Sequence, residues 1–568
     1  MANKLFRKKS VDQILAAAQA SKEGGMAKIL GVRDLVSLGI AAIVGAGIFS
    51  TIGLASFNGG PAVSLLFVFV AFACVFTALS YAQFASTVPV SGSAYTYAYV
   101  AFGELFAWII GWALILEYAV SNMVVAIAWS QYFVNMLNGF GISMPGWLTM
   151  APAYATEAYD RLQAVGMEGL THAEKIAVAA YQSAPRIGDI PIIFDLPAGI
   201  ITVLVTALVY IGIKESRTAS NFMVIIKIGV ILLVIFGGAF FVKPENWTPF
   251  APNGMEGVLS GVAAVFFAFI GFDSISTTAE ECKNPQRDLP RAMIWCLLIC
   301  AVLYVLITLV LTGMVNYTEL NVKDPLSFVF SYVGVDYMAG IVSVTSVVAI
   351  TSALLVFQLA QPRIWMTMSR DGLLWKRFSK VHPKYKTPSF ATIVTGFLVA
   401  VPALFFKMDF FVDLTSVGTF FAFILVCAGV LYMDHSGLTK KAKFKVPYIN
   451  GRYLIFAGLI FAIIMVFTYS KETIEEWKAL TFVELIEYKL LAMIFWVVWM
   501  GLSIYAYKYK FSVLPVAGIL INLYLMSELG ASNWLIFIVW LAIGLVVYFG
   551  YGYRKSKLNH PDPEELTA

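Results

Sequence analysis

Two apolar stretches of this chain are interrupted at matching places, one by Gly45-Ala46-Gly47 and the other at Gly271, two residues ahead of a lone carboxylate, Asp273. Lipid offers no hydrogen bonds to free backbone, so a membrane helix unwinds only where protein shields it or where it lines a wet cavity. The breaks therefore mark a candidate ligand site. Interrupted spans in corresponding positions of two halves point half-helix ends at a solute near the bilayer midplane, the pattern of secondary transporters.

The membrane reading rests on composition. Of 568 residues, 60% are hydrophobic, 15% aromatic and only 13% charged, too little polar surface for a water-soluble domain. Fourteen stretches approach the roughly 20 residues that a hydrocarbon core about 30 Å thick requires. They lie near 33–56, 62–88, 98–137, 196–213, 219–242, 256–280, 291–315, 335–368, 388–406, 410–433, 453–470, 489–507, 511–528 and 533–553. The expected fold is an all-α integral membrane protein.

Charge sets its orientation. With a cytoplasmic N-terminus, the inside segments, from Lys4–Arg33 through Arg370–Lys386 and Lys440–Arg452 to Arg554–Lys557, hold 28 of the 39 Lys and Arg. The outside segments hold nine, and Lys227 and Arg363 fall within spans. The positive-inside rule then places both termini in the cytoplasm of a multi-pass cell-membrane protein. The net charge of +5 is a topology signal and implies no nucleic-acid partner. Arg363 and the run from Arg370 to Lys386 read as cytoplasmic anchoring charges.

The expected organisation is a cytoplasmic segment over 1–32, a core over 33–435, further spans over 436–553 and a cytoplasmic tail over 554–568. Residues 138–195 form an external, acidic insertion in which Thr171-His172-Ala173-Glu174 has the spacing of a helix capping box. That insertion reads either as a plain loop or as a lid attracting cationic solutes. Cys74, Cys282, Cys296, Cys300 and Cys427 all fall in spans or at cytoplasmic ends, where structural disulfides do not form. There is no HExxH, no GxSxG and no His/Cys cluster, so no enzyme, cofactor or metal is expected.

Around Gly45-Ala46-Gly47, freed N–H groups at a helix N-terminus suit a carboxylate. Around Phe267–Gly271, freed carbonyls suit an ammonium group. Together they match the backbone of an α-amino acid; each glycine cluster alone would equally serve close helix packing. Lys227, among isoleucines and valines, and Glu117, between Leu116 and Tyr118, are candidates for ion coupling. A charge at a span centre costs roughly 2.5 to 3.5 kcal/mol even on lenient scales, so such residues face a cavity or a partner. A static salt bridge or snorkelling is the alternative. Asp273 could orient the pocket, meet a cationic side chain or cap freed N–H groups.

At these residues the chain resembles the amino acid–polyamine–organocation superfamily and, within it, the cationic amino acid transporter family. The likeness is carried by Gly45-Ala46-Gly47-Ile48-Phe49, Ile110-Gly111-Trp112, Leu116-Glu117-Tyr118, the run from Glu256 to Asp273, Glu280 to Gln286, Ser369 to Leu374 and Tyr548 to Gly552. The resemblance implies a core of five spans plus five in inverted repeat, with the first and sixth broken. It implies that Ala46 and Gly47 donate to the substrate carboxylate, that carbonyls of Ile43, Phe267, Ala268 and Ile270 accept from its ammonium, and that Phe267 gates the site. Lys227 matches the fifth-span lysine that replaces sodium in proton-coupled bacterial relatives, and Glu117 matches an acid of the third span.

Phe357 falls near where a small residue would leave room for a long cationic side chain, and so favours a smaller or neutral substrate. Asp273 and the acidic insertion argue the other way. The expectation is an importer of α-amino acids driven by proton symport. The alternatives are an obligate exchanger and a sensor that binds without transporting.

Overall fold

Large apolar side chains cover the flanks of this molecule, among them Leu65, Phe72, Phe236 and Phe240, the last 88% exposed. Only a hydrocarbon solvent accommodates that surface. The computed structural model describes residues 5–9, 30–45, 47–88, 92–170, 172–212, 216–322, 324–469, 482–529 and 531–559. Among them, nine helical stretches are long and apolar enough to cross a membrane, and four apolar helices of 10–17 residues accompany them. The protein is an all-α membrane protein.

The first apolar stretch begins as α1 (Val32–Ile43), stops, and resumes through a π-helical turn (Gly47–Thr51) into α2 (Ile52–Gly59). A corner at Gly60-Pro61 leads to α3 (Val63–Thr87), then α4 (Ser93–Ala101) and the 36-residue α5 (Glu104–Gly139). The expected span 98–137 is thus two helices, because the chain turns at Phe102–Gly103. The insertion holds α6 (Pro152–Val165), α7 (His172–Ser183) and a hairpin of β1 (Arg186–Ile187) and β2 (Ile190–Pro191). Next come α8 (Leu196–Ile211) and α9 (Ser216–Ala239).

The sixth expected span is α10 (Gly254–Leu259), α11 (Val262–Phe267) and, after a turn at Ala268–Gly271, a 3₁₀ segment (Phe272–Glu281). Beyond it lie α12 (Pro285–Met314), the short α13 (Pro325–Tyr332) and α14 (Asp336–Arg370). The remainder is α15 (Ser389–Phe405), α16 (Met408–Ser436), α17 (Leu454–Tyr469), α18 (Phe482–Tyr509), α19 (Val513–Ser527) and α20 (Ala531–Val547).

Two bodies position the breaks. The long helices α5 and α14 pack on each other, with α16 against α5, and Gln361 Nε2 of α14 donates to the Ile115 carbonyl of α5 at 3.1 Å. Against them sits α1, held by α12, α9 and the 3₁₀ segment. The start of α1 is tied to the end of the 3₁₀ segment by two backbone bonds, Leu30 N–H to Glu281 and Lys283 N–H to Leu30, each 3.0 Å.

At one end of α5 the segment of Arg7–Lys9 meets that of Tyr548–Ser556. Glu104 is fully buried there and accepts from Tyr99 Oη and Tyr548 Oη, both at 3.0 Å, from Ser556 Oγ at 2.5 Å and from Arg7 at 3.4 Å. Lys9 pairs with Asp371, which also accepts from Tyr95 Oη at 2.6 Å. At the other end of α5, the insertion folds around its own small core of Met150, Ala155, Leu170, Val178 and Ile193. The insertion therefore carries helices packed on a core of their own. Its exit is pinned by Asp195, whose carboxylate accepts from Ser130 Oγ and from the Ala198 N–H that opens α8. Helix α7 begins where the capping-box spacing predicts, although Thr171 lies outside the described residues.

Glu104→Ala would leave an arginine and three hydroxyls without their shared acceptor. We expect it to lower stability by about 3 kcal/mol, read as a drop in the melting temperature of detergent-solubilised protein.

Candidate functional site

When a helix stops, the carbonyls of its last turn lose their donors. At the end of α1 the Gly45 N–H, which a continuous helix would direct to Ala41, turns to the Ile43 carbonyl instead, at 2.9 Å. Ala41 O is freed, and Lys227 Nζ of α9 donates to it at 3.0 Å. Tyr304 Oη of α12 donates to Ile43 O at 3.0 Å, so that carbonyl carries two donors. The lysine is fully buried. Its hydrogen bond is to backbone, and Glu117 is not part of that contact. Sequence singled out both residues as charges inside apolar spans but could not show that Lys227 meets a main-chain carbonyl.

The second half of the stretch is anchored just as closely. The Thr51 hydroxyl lies 2.9 Å from the Gly47 carbonyl and 3.1 Å from that of Ala264 in α11. Tyr132 Oη of α5 donates to Phe49 O at 2.5 Å. Neither threonine nor tyrosine was singled out from sequence. The available signal was a polar hydroxyl in an apolar span, which needs a buried partner.

The two breaks face each other. A Cβ on Gly47 would lie 2.3 Å from the Ala268 Cα, and one on Gly271 would lie 2.9 Å from the Ala42 Cβ. Each glycine thus admits the other helix's backbone, and Gly271 also has φ +116, a conformation that L side chains rarely adopt. Between Val265 and Ile270 the chain runs in tight turns, with Ala268 N–H on Val265 O and Ile270 N–H on Phe267 O, both 3.2 Å. Gly45, Gly47, Phe267, Ala268 and Ile270 therefore meet in one buried region, with Gly45 also close to Ala353 of α14. Ala46 lies outside the described residues.

Beside the second break are the acids. Asp273 is fully buried; its Oδ2 accepts from Tyr118 Oη at 2.7 Å, and its Oδ1 has no hydrogen-bond partner among the described residues. Glu117, next to Tyr118 on α5, is equally buried and faces the Thr419 hydroxyl of α16. The Phe357 ring stands 6.0 Å from the Tyr118 ring, tilted by 55°. Further unpaired acceptors are Asn122 Oδ1 and Gln361 Oε1 on the same two helices. The buried Tyr81 and Tyr97 hydroxyls also lie near Asp273, so the region offers both donors and acceptors.

Comparison with known proteins completes the assignment. Residues 30–487 match the model of the amino acid permease family, and residues 511–556 match that of the C-terminus of such permeases. The chain belongs to the amino acid permease family. This permease is 37% identical to the branched-chain amino acid permease BcaP of Bacillus subtilis (strain 168), over 98% of its own length and 100% of that protein's. It is 36% identical to the methylthioribose transporter of the same organism, over 98% and 99%. With the vacuolar cationic amino acid transporter 4 of Arabidopsis thaliana it shares 30% identity over 98% and 97%. The permease is thus an amino acid transporter of the amino acid–polyamine–organocation superfamily, and these names point to no enzyme.

Gly47→Ala is expected to cost about 1–3 kcal/mol by driving the break away from Ala268. Gly229→Ala in α9, whose added Cβ would meet nothing within 4 Å, is expected to be neutral or to stabilise by up to about 1 kcal/mol. Thermal unfolding of the two variants side by side measures both.

Proposed function

We propose that this permease imports α-amino acids by proton symport, with both termini in the cytoplasm. The observation that carries the reading is the mutual docking of two broken helices, with a buried lysine on the carbonyl that the first break sets free. In it, N–H groups of Ala46 and Gly47 take the substrate carboxylate, and carbonyls beside Phe267, Ala268 and Ile270 take its ammonium. Ile43 O already holds two donors, so its part in binding requires Tyr304 or Gly45 to let go. Phe267 screens the site from solvent.

Lys227 supplies the coupling. As an ammonium it holds Ala41 firmly, because charge-assisted hydrogen bonds are roughly twice as strong as neutral ones. Losing its proton loosens the joint between α1 and α9, so proton occupancy and the position of α1 become linked, as any two-state element biased by a ligand must be. The core over 33–435 is read as five spans plus five in inverted repeat, with further spans over 436–553 as additions. Asp273 and Phe357 bound the side-chain end of the site, and Glu117 lies behind Tyr118. Phe357 lies against Tyr118, whose hydroxyl is already bound to Asp273, and its bulk favours neutral substrates of moderate size.

Obligate exchange is the competing mechanism, since a carrier whose Lys227 never loses its proton would run substrate for substrate. In proteoliposomes, the wild-type protein is expected to accumulate substrate faster under an inward proton gradient, and Lys227→Met to lose that acceleration while retaining counterflow. Acceleration persisting in Lys227→Met would end the coupling role. The substrate itself emerges from thermal shifts against the twenty amino acids, where a ligand at 100 times its Kd adds about 2.7 kcal/mol. Phe357→Ser is expected to bring arginine and lysine into the accepted set, at a gain of about 1–3 kcal/mol; unchanged selectivity would remove Phe357 from the substrate's path.

A further inference from the structure

Arg363 does not behave as a surface anchor. It follows Pro362 inside α14, is 8% exposed, and places Nη2 2.7 Å from Glu281 Oε1, whose side chain is 13% exposed. On α14 it lies six residues beyond Phe357 and seven before the end of the helix at Arg370. At 1.5 Å per residue it therefore sits about 10 Å inside the end where Arg7 and Lys9 meet Glu104 and Asp371.

The ion pair joins the two bodies of the fold. Arg363 belongs to the α5–α14 body, fixed by the Gln361 bond to Ile115 two residues away. Glu281 ends the 3₁₀ segment, and its own carbonyl accepts from Leu30 N–H at the head of α1. The parallel bridge of Leu30 with Cys282 makes the head of α1 and the end of the 3₁₀ segment one piece. Other ion pairs on this face connect different parts: Arg7–Glu104 and Lys9–Asp371 tie the N-terminal segment to α5 and to the loop after α14. Separation of the head of α1 from α14 has to break Arg363–Glu281.

We propose that Arg363 and Glu281 form the lock that holds the cytoplasmic side of the permease shut, the α1–3₁₀ unit swinging from α14 only when this pair opens. The proposal rests on the symport reading above, in which α1 moves. A largely buried pair suits the task, since removing one partner leaves the other charge stranded, whereas a reversed pair can re-form. Both groups are also close enough to the end of the bundle for water to receive them once the unit swings away.

The test uses full-length protein in which the five native cysteines are replaced and a reporter, Thr278→Cys, is placed on the 3₁₀ segment, where Thr278 is 3% exposed. A membrane-impermeant maleimide applied from the cytoplasmic side reads opening as a labelling rate. Arg363→Gln and Glu281→Gln are each expected to raise that rate about tenfold, and the swap Arg363→Glu with Glu281→Arg to bring it back toward the parent. Arg363→Lys, which keeps the charge on a shorter reach, is expected between parent and Arg363→Gln, and serves if the neutral variants do not fold. Parent rates in both single variants, or a swap that labels as fast as they do, would overturn the lock. Labelling needs no transport, so failure of the wild-type protein to carry any amino acid would strike the transporter reading and leave the lock to stand or fall by its own rates.

Discussion

Unpaired backbone in lipid is the constraint from which this structure follows. A span that stops halfway across a membrane frees N–H and C=O groups, each costing several kcal/mol if nothing answers it. Here the answers are specific: Lys227 for Ala41 O, Tyr304 and Gly45 for Ile43 O, Thr51 for Gly47 and Ala264, Tyr132 for Phe49. Lys227, Tyr304 and Tyr132 come from α9, α12 and α5, and Thr51 reaches from the first stretch itself to α11, so the surrounding helices are located by what the breaks need. Glycines on both sides let the two interruptions approach to backbone contact.

A second consequence is the division of labour among buried charges. Lys227 serves the first break from one side, while Asp273 and Glu117 lie with Tyr118 on the other. Arg363 and Glu281 pair nearer the end of the bundle. Asp273, Glu117, Arg363 and Glu281 thus sit where the body built on α5 and α14 meets the unit carrying α1 and the 3₁₀ segment, and Lys227 sits at the joint between α1 and α9. Charges at such boundaries are sensitive to relative motion in a way that apolar packing is not, because their partners change discretely as the surfaces part.

Much of this was legible in the sequence. Gly45-Ala46-Gly47 and Gly271 announced the breaks because glycine is a poor helix former and accepts the backbone turns at which a helix stops. Lys227 and Asp273 stood out as charges that lipid cannot solvate. The helical and membrane character followed from composition alone. What escaped was whatever depends on spatial neighbours. Arg363 read as an anchoring charge because its distance from the run of Arg370 to Lys386 is short in sequence, whereas its helix carries it inward to Glu281. Tyr304, Thr51 and Tyr132 carry hydroxyls that look incidental until a carbonyl is seen opposite each. The insertion read in part as a loop because short alanine-rich helices with a small core of their own have little periodic signal.

The central claim is that main-chain groups at the two breaks clasp both charged ends of one amino acid. It is tested most directly by binding to the purified protein of the best-bound amino acid beside its methyl ester, its N-acetyl derivative and the corresponding amine without a carboxylate. Each alteration is predicted to weaken binding at least about a hundredfold, since each strands one set of charge-assisted bonds. An ester or an acetylated form that binds as tightly as the parent would contradict the claim.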